Sequence, residues 1–149
     1  LILTARKLAS ASRLKPRQAD LRRSVSTAYY ALFDVLARSG ADLLVGTGAT
    51  RPIQAWAHVY RALDHGFSKN VCKEARNLGF PPEIRGCANE FVVLQEVRHK
   101  ADYDPTARFT RAEALDWVSR TEAAIASLRA ASRRERKAFA VQLLLKRRT

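Results

Sequence analysis

The chain of 149 residues has no methionine, two cysteines, three histidines and few acids: 14 Asp/Glu stand against 27 Lys/Arg. Each shortage excludes something. Cys72 and Cys87 are separated by fourteen residues with no second pair. That spacing fits no zinc or redox motif, so both read as structural thiols in a reducing compartment. His58, His65 and His99 form no HExxH pattern, and no Ser-His-Asp or Gly-x-Ser-x-Gly arrangement supports a serine nucleophile. His58 and His65 lie seven apart on one expected helix and so share a face, but a metal would want a third ligand, for which Asp64 or Cys72 would have to serve. No metal or other cofactor is expected. Gly46-Thr47-Gly48 lacks the preceding strand and the third glycine of a phosphate cradle. No apolar run approaches the ~20 residues needed to cross a bilayer. The start, Leu1 to Arg13, is basic and has no small-residue cleavage site. A cytoplasmic protein with no membrane attachment is expected.

What is abundant is positive charge. The net charge is +13, and it is unevenly spread. Residues 1–40 hold eight Lys/Arg and two Asp/Glu, residues 41–105 eight of each, and residues 106–149 eleven and four. The excess belongs to the two ends. Such an excess attracts polyanions and raises their encounter rate. The plainer reading is solubility and a bias toward arginine.

Apolar spacing is helical nearly throughout. A first helix ends near Arg13. Pro16 suits the first turn of a second, which runs from about Arg17 to Ser39 with Leu21, Val25, Ala28, Tyr29, Leu32, Val35 and Leu36 as its stripe. Gly40 reads either as its C-cap or as a tolerated interruption. Pro52 opens a third helix through about His65, with a break expected at Gly66 before a further piece from Phe67 to Leu78. Gly79-Phe80-Pro81-Pro82 is a turn. Glu83 begins a helix that Pro105 ends. Thr110 and Glu113 have capping-box spacing for the next. Residues 132–137 carry no apolar position, and then Phe139, Val141, Leu143, Leu144 and Leu145 return. That tail either prolongs the last helix or forms a separate amphipathic segment. Packing on a partner or a second copy is its expected use, with self-packing and disorder as alternatives. The expected organisation is an all-α antiparallel bundle over residues 1–131 and a basic, apolar helical extension over 132–149.

Two constellations carry chemistry. Arg98-His99-Lys100-Ala101-Asp102-Tyr103-Asp104-Pro105 packs a guanidinium, an imidazole, a carboxylate and a phenol into one helix end. Arg98 and Asp102 are i and i+4 and project together, whereas His99 is about 100° away and shares Tyr103's side. On the second helix, Ser26 and Tyr30 are i and i+4, as are Tyr29 and Phe33. A polar network tying helix ends together, Ser26 or Tyr30 to Arg98 and Asp102, accounts for these residues without chemistry.

Together, Ser26-Thr27-Ala28-Tyr29-Tyr30-Ala31-Leu32-Phe33 and Arg98-His99-Lys100-Ala101-Asp102-Tyr103 resemble the HEPN superfamily. The likeness is to its bacterial and archaeal branch, with a Ser-x-x-Tyr-Tyr-Ala-x-Phe helix and a later Arg-x-x-Ala-Asp-Tyr helix end, and it covers about residues 1–130. The resemblance implies an up-and-down bundle of four or five helices, commonly dimeric. It implies an RNA- or nucleotide-binding module, in many members a metal-independent ribonuclease toxin paired with a minimal nucleotidyltransferase antitoxin. The chain departs from the ribonuclease pattern of an arginine followed four to six residues later by histidine. The positions after Arg98 at that spacing are Tyr103, Asp104 and Pro105, and Asp34 follows the Phe of the tyrosine motif.

Metal-free RNA cleavage needs a base for the 2′-OH, a donor to the leaving oxygen, and cations on the phosphorane. Arg98 suits the phosphate, His99 titrates near neutrality, Tyr103 can donate a proton, and Asp102 orients a neighbour. These four are the candidate catalytic residues. Ser26, Tyr30, Arg98 and Lys100 are the candidate binding residues. A homodimer, RNA or nucleotide phosphate and a nucleotidyltransferase are the expected partners. A non-catalytic helical interaction protein is the alternative.

Overall fold

Seven α-helices and no strand make up residues 1–148, the part of the chain that this computed structural model describes. The all-α expectation holds. α1 (Ile2–Ala9) buries Ala5 and Ala9 and is pinned where Ser24 Oγ donates to the Ala5 carbonyl at 2.7 Å. Pro16 stands ahead of the next helix rather than in its first turn, because Arg17 is the N-cap. α2 (Gln18–Leu44) is the axis of the molecule, and its 27 residues span about 40 Å at ~1.5 Å each. Leu21, Val25, Ala28, Tyr29, Leu32 and Leu36 are buried along it, as their spacing predicts. The helix continues through Gly40 to Leu44, so the glycine is not its C-cap but is tolerated inside it. A Cβ at Gly40 would lie 2.7 Å from Leu144 Cδ1, so the missing side chain admits the C-terminal segment.

α3 (Ile53–Arg61) has no fully buried residue and lies along α2, held by Trp56 Nε1 donating to Asp42 at 2.8 Å and Tyr60 Oη donating to Asp34 at 2.6 Å. α4 (His65–Lys73) starts earlier than expected. Asp64 caps it, its carboxylate accepting from Phe67 N–H at 2.7 Å. A short carboxylate before a helix start satisfies an otherwise orphaned N–H, so the chain breaks at 62–64 and Gly66 falls inside the first turn of α4. His58 and His65 therefore lie on different helices, and the shared face expected of them does not form.

α5 (Pro82–Tyr103) stops at Asp104, whose extended backbone is what a residue before proline adopts. α6 (Arg111–Ala130) opens on the expected capping box of Thr110 and Glu113. Ser26 reaches Asp102 while Tyr30 reaches Arg98, so α2 and α5 run antiparallel. Arg120 pairs with Glu90 while Ser127 Oγ donates to the Glu83 carbonyl, so α5 and α6 do too.

α7 (Arg133–Leu144) is a separate segment. Ala131 is extended, and Ser132 caps the new helix by accepting from Glu135 N–H at 3.1 Å. The tail expected to seek a partner packs on its own chain. Phe139, Ala140 and Leu143 are buried, and the Phe139 ring meets Phe80 edge-on at 5.4 Å. The capped corner redirects this face onto α2 and α4, while Val141 and Leu145 stay exposed. Thr149, the last residue of the expected extension, lies outside the described residues. Among the described residues no helix is long and apolar enough to cross a membrane.

Candidate functional site

α2 and α5 bring Ser26, Tyr30, Arg98 and Asp102 into one cluster. Arg98 is only 8% exposed. Its guanidinium carbon sits 5.0 Å from the Tyr29 ring centre and 5.2 Å from that of Tyr30, a cation packed against both aromatic rings. Nη2 donates to Tyr30 Oη at 3.2 Å. Asp102 Oδ2 accepts from Ser26 Oγ at 3.2 Å and lies 3.7 Å from Arg98 Nε, a charge pair too long to be a hydrogen bond. Nε is buried with no hydrogen-bond partner, and Nη1 has none among the described residues. A guanidinium has five N–H donors, so this one has capacity left for an anion. Tyr30, 39% exposed, forms the open edge of the cluster.

Arg22 holds this geometry. It stands four residues before Ser26, and its guanidinium donates to the carbonyls of Ala101 (3.1 Å), Asp104 (2.7 Å), Pro105 (3.2 Å) and Ala107. The last carbonyls of a helix have no intrahelical partner, and Arg22 supplies one from the start of α2. Gln18 clamps the same loop, exchanging hydrogen bonds with the N–H and carbonyl of Phe109 at 2.9 and 2.8 Å.

A fifth residue enters from α4. His65 stacks on Phe33 at 4.1 Å, and its ring lies 5.9 Å from that of Tyr30. Its Nδ1 is 2.6 Å from Tyr29 Oη. Tyr29 is fully buried, and burial pushes its phenol well above the ordinary range, so the hydroxyl keeps its proton. With no other acceptor for it among the described residues, Tyr29 donates to Nδ1. Partial burial and then the charge of Arg98 push His65 below its ordinary pKa. At neutral pH it is an uncharged imidazole with its remaining proton on Nε2. That makes it a hydrogen-bond donor beside a cation, and not a poised base.

The other candidates stand apart from this cluster. His99 and Tyr103 pair with each other, ring centres 4.9 Å apart, on the side of α5 that their spacing predicts. Tyr103 is 66% exposed, and neither touches Arg98 among the described residues. Lys100 is exposed and makes no ion pair there. His65, Tyr29 as a donor and Arg22 were missed by sequence reasoning. Arg22-Ser26-Tyr30 is a run at four-residue spacing that signalled Arg22. Asp64 in N-cap position signalled that His65 starts a helix. A concavity of about 790 Å³ between α1, α2 and α6 is lined by none of these residues, and the cluster opens to the surface at Tyr30.

No family model, curated protein or solved structure matches the chain.

Proposed function

We propose that this protein is an RNA- or nucleotide-directed module of the HEPN type, a cytoplasmic homodimer acting as the toxin-like partner of a minimal nucleotidyltransferase. The observation that supports it is Arg98: a buried guanidinium with unspent donors beside a tyrosine hydroxyl that is still exposed. A phosphate at this edge would accept from Arg98, from Tyr30 and from the Nε2–H of His65. α1, α2, α5 and α6 supply the helices of an up-and-down bundle, and α3, α4 and α7 are additions around it. A second copy set over Tyr30 would turn the shallow cluster into a groove.

Binding without cleavage is the reading the protons favour. Asp102 is engaged by Ser26 and Arg98, and the Nδ1 lone pair of His65 is taken by Tyr29. The imidazole is therefore not free at Nδ1 to accept the 2′-OH proton, and the contacts of Asp102, both through Oδ2, hold it as the partner of Ser26 and Arg98. The second reading, a metal-independent ribonuclease, draws on His65 itself, since it returns an imidazole to the neighbourhood of the arginine. Single-turnover incubation of mixed-sequence RNA with wild type and Arg98→Ala, with retention on a filter measured in parallel, separates them. We expect retained, uncut RNA with the wild type. We expect binding about tenfold to a hundredfold weaker for Arg98→Ala, matching ~1.5–3 kcal/mol for hydrogen bonds from a charged group. Cleavage by the wild type alone would select the ribonuclease. Equal binding by both proteins would reject the role of Arg98, and no retention or cleavage by either would leave the non-catalytic interaction protein.

A further inference from the structure

A second anion-seeking feature lies further along α2. Between its C-terminal half and the corner where α6 turns into α7 is a pocket of about 360 Å³, walled by Arg38, Arg129, Arg133 and Arg136. Asp42 is the only acid in the wall, and its Oδ1 already accepts from Trp56 Nε1 at 2.8 Å. Arg38 is paired with Asp34 at 2.9 Å. Arg129, Arg133 and Arg136 make no ion pair among the described residues, and of these only Arg136 is anchored, its Nε donating to the Ala131 carbonyl at 3.3 Å. Four arginines thus line one pocket against the single carboxylate of Asp42, and three of them have no ion-pair partner among the described residues. Like charges repel, so such a cluster is best explained by an anion that completes it. The volume is that of a site for a nucleotide-sized group.

The rim adds the second element of nucleic-acid recognition. Trp56 and Tyr60 stack on each other at 5.3 Å and 9°, and Arg38 lies over both rings at 6.0 and 5.5 Å. Arg51 lies over the far part of the same platform, 5.4 Å from Trp56. Both aromatics are half-exposed. Arginines for phosphates beside flat rings for bases are the parts from which single-strand sites are built. Arg38 is eight residues beyond Tyr30 on the same helix, about 12 Å at ~1.5 Å per residue, a separation of a couple of nucleotides.

We propose that the arginine pocket is a phosphodiester site for single-stranded RNA, with the Trp56–Tyr60 edge stacking an adjacent base. It extends the RNA reading to a second face and does not depend on Arg98. The probe is a fluorescein-labelled uridine dodecamer, followed by anisotropy across a salt series. Arg129→Gln/Arg133→Gln removes two exposed charges and should melt as the wild type does. We expect affinity at least tenfold weaker and a log–log salt slope shallower by about 1.4, at ~0.7 per phosphate contact for single strands. The charge-matched control is Lys7→Gln/Lys73→Gln, on exposed faces of α1 and α4. If it weakens binding equally, general charge suffices and the pocket proposal fails. Should the double variant melt early, Arg133→Gln at the exposed start of α7 repeats the test with half the slope change. Uridine 5′-monophosphate binding as tightly as the dodecamer would overturn the polymer assignment. So would loss of binding to vesicles of anionic phospholipid with RNA binding intact. Arg98→Gln in the same assay keeps the two sites distinguishable: a loss there with none in the pocket variant rejects this proposal alone, and the reverse rejects only the Arg98 reading.

Discussion

Arg98 and His65 act on each other, and the direction of that influence can be measured. The guanidinium and partial burial both hold the imidazole below its ordinary pKa of ~6.5. In Arg98→Gln the charge is gone, so the His65 ring protons should titrate at higher pH than in the wild type when followed by NMR. An unchanged midpoint would mean that the two side chains do not sense one another. The same shift has a consequence for stability. Between the folded and the ordinary pKa the unfolded chain binds more protons than the folded one, so stability rises with pH through that window. His65 therefore weakens the fold as pH drops through about 6.5 and is neutral in effect above it. Urea unfolding at pH 5.5 and 7.5 should show a smaller difference for His65→Gln, whose amide can still accept from Tyr29.

At the scale of elements, the joints matter more than the helices. Arg22→Ala would leave the Ala101 carbonyl of α5 and the Asp104, Pro105 and Ala107 carbonyls of the loop after it without their donor, and should cost about 1.5–3 kcal/mol, the range for hydrogen bonds from a charged group. A lower melting temperature with RNA binding reduced through the loosened end of α5 is the expected result. Full binding at a temperature where the variant is folded would show that Arg22 only stabilises. Ser132→Ala should cost about 1 kcal/mol as a lost N-cap, and Phe139→Ala about 3–5 kcal/mol as a core truncation, both read by urea denaturation. Most of this layout was legible beforehand. The α2 stripe, the Pro-limited end of α5 and the Thr110–Glu113 box all follow from local spacing. Ser26, Tyr30, Arg98 and Asp102 could be placed together because each pair shares one helical face. What could not be read was how the smaller helices, α4 and α7, meet the rest. His65 meets Tyr29 and Phe33 beside Arg98 because the cap at Asp64 makes it the first residue of α4, a helix that packs on α5. Gly40 makes sense only against Leu144, over a hundred residues later. The fate of the tail turned on Ser132, whose Glu135 partner was as plain as the one noticed at Thr110.

For the molecule as a whole, the +13 charge predicts RNA affinity that falls steeply with salt. A flat response between 50 and 200 mM salt, expected to cost a polyanion binder orders of magnitude, would reject every nucleic-acid reading made for this protein. The close seat of α7 has a different kind of consequence, one of timing. Leu36 and the notch at Gly40 pack with Phe139, Leu143 and Leu144, residues made long after α2 itself. Translation therefore exposes an apolar strip on α2 well before its cover in α7 exists. Aggregation is the hazard of that interval.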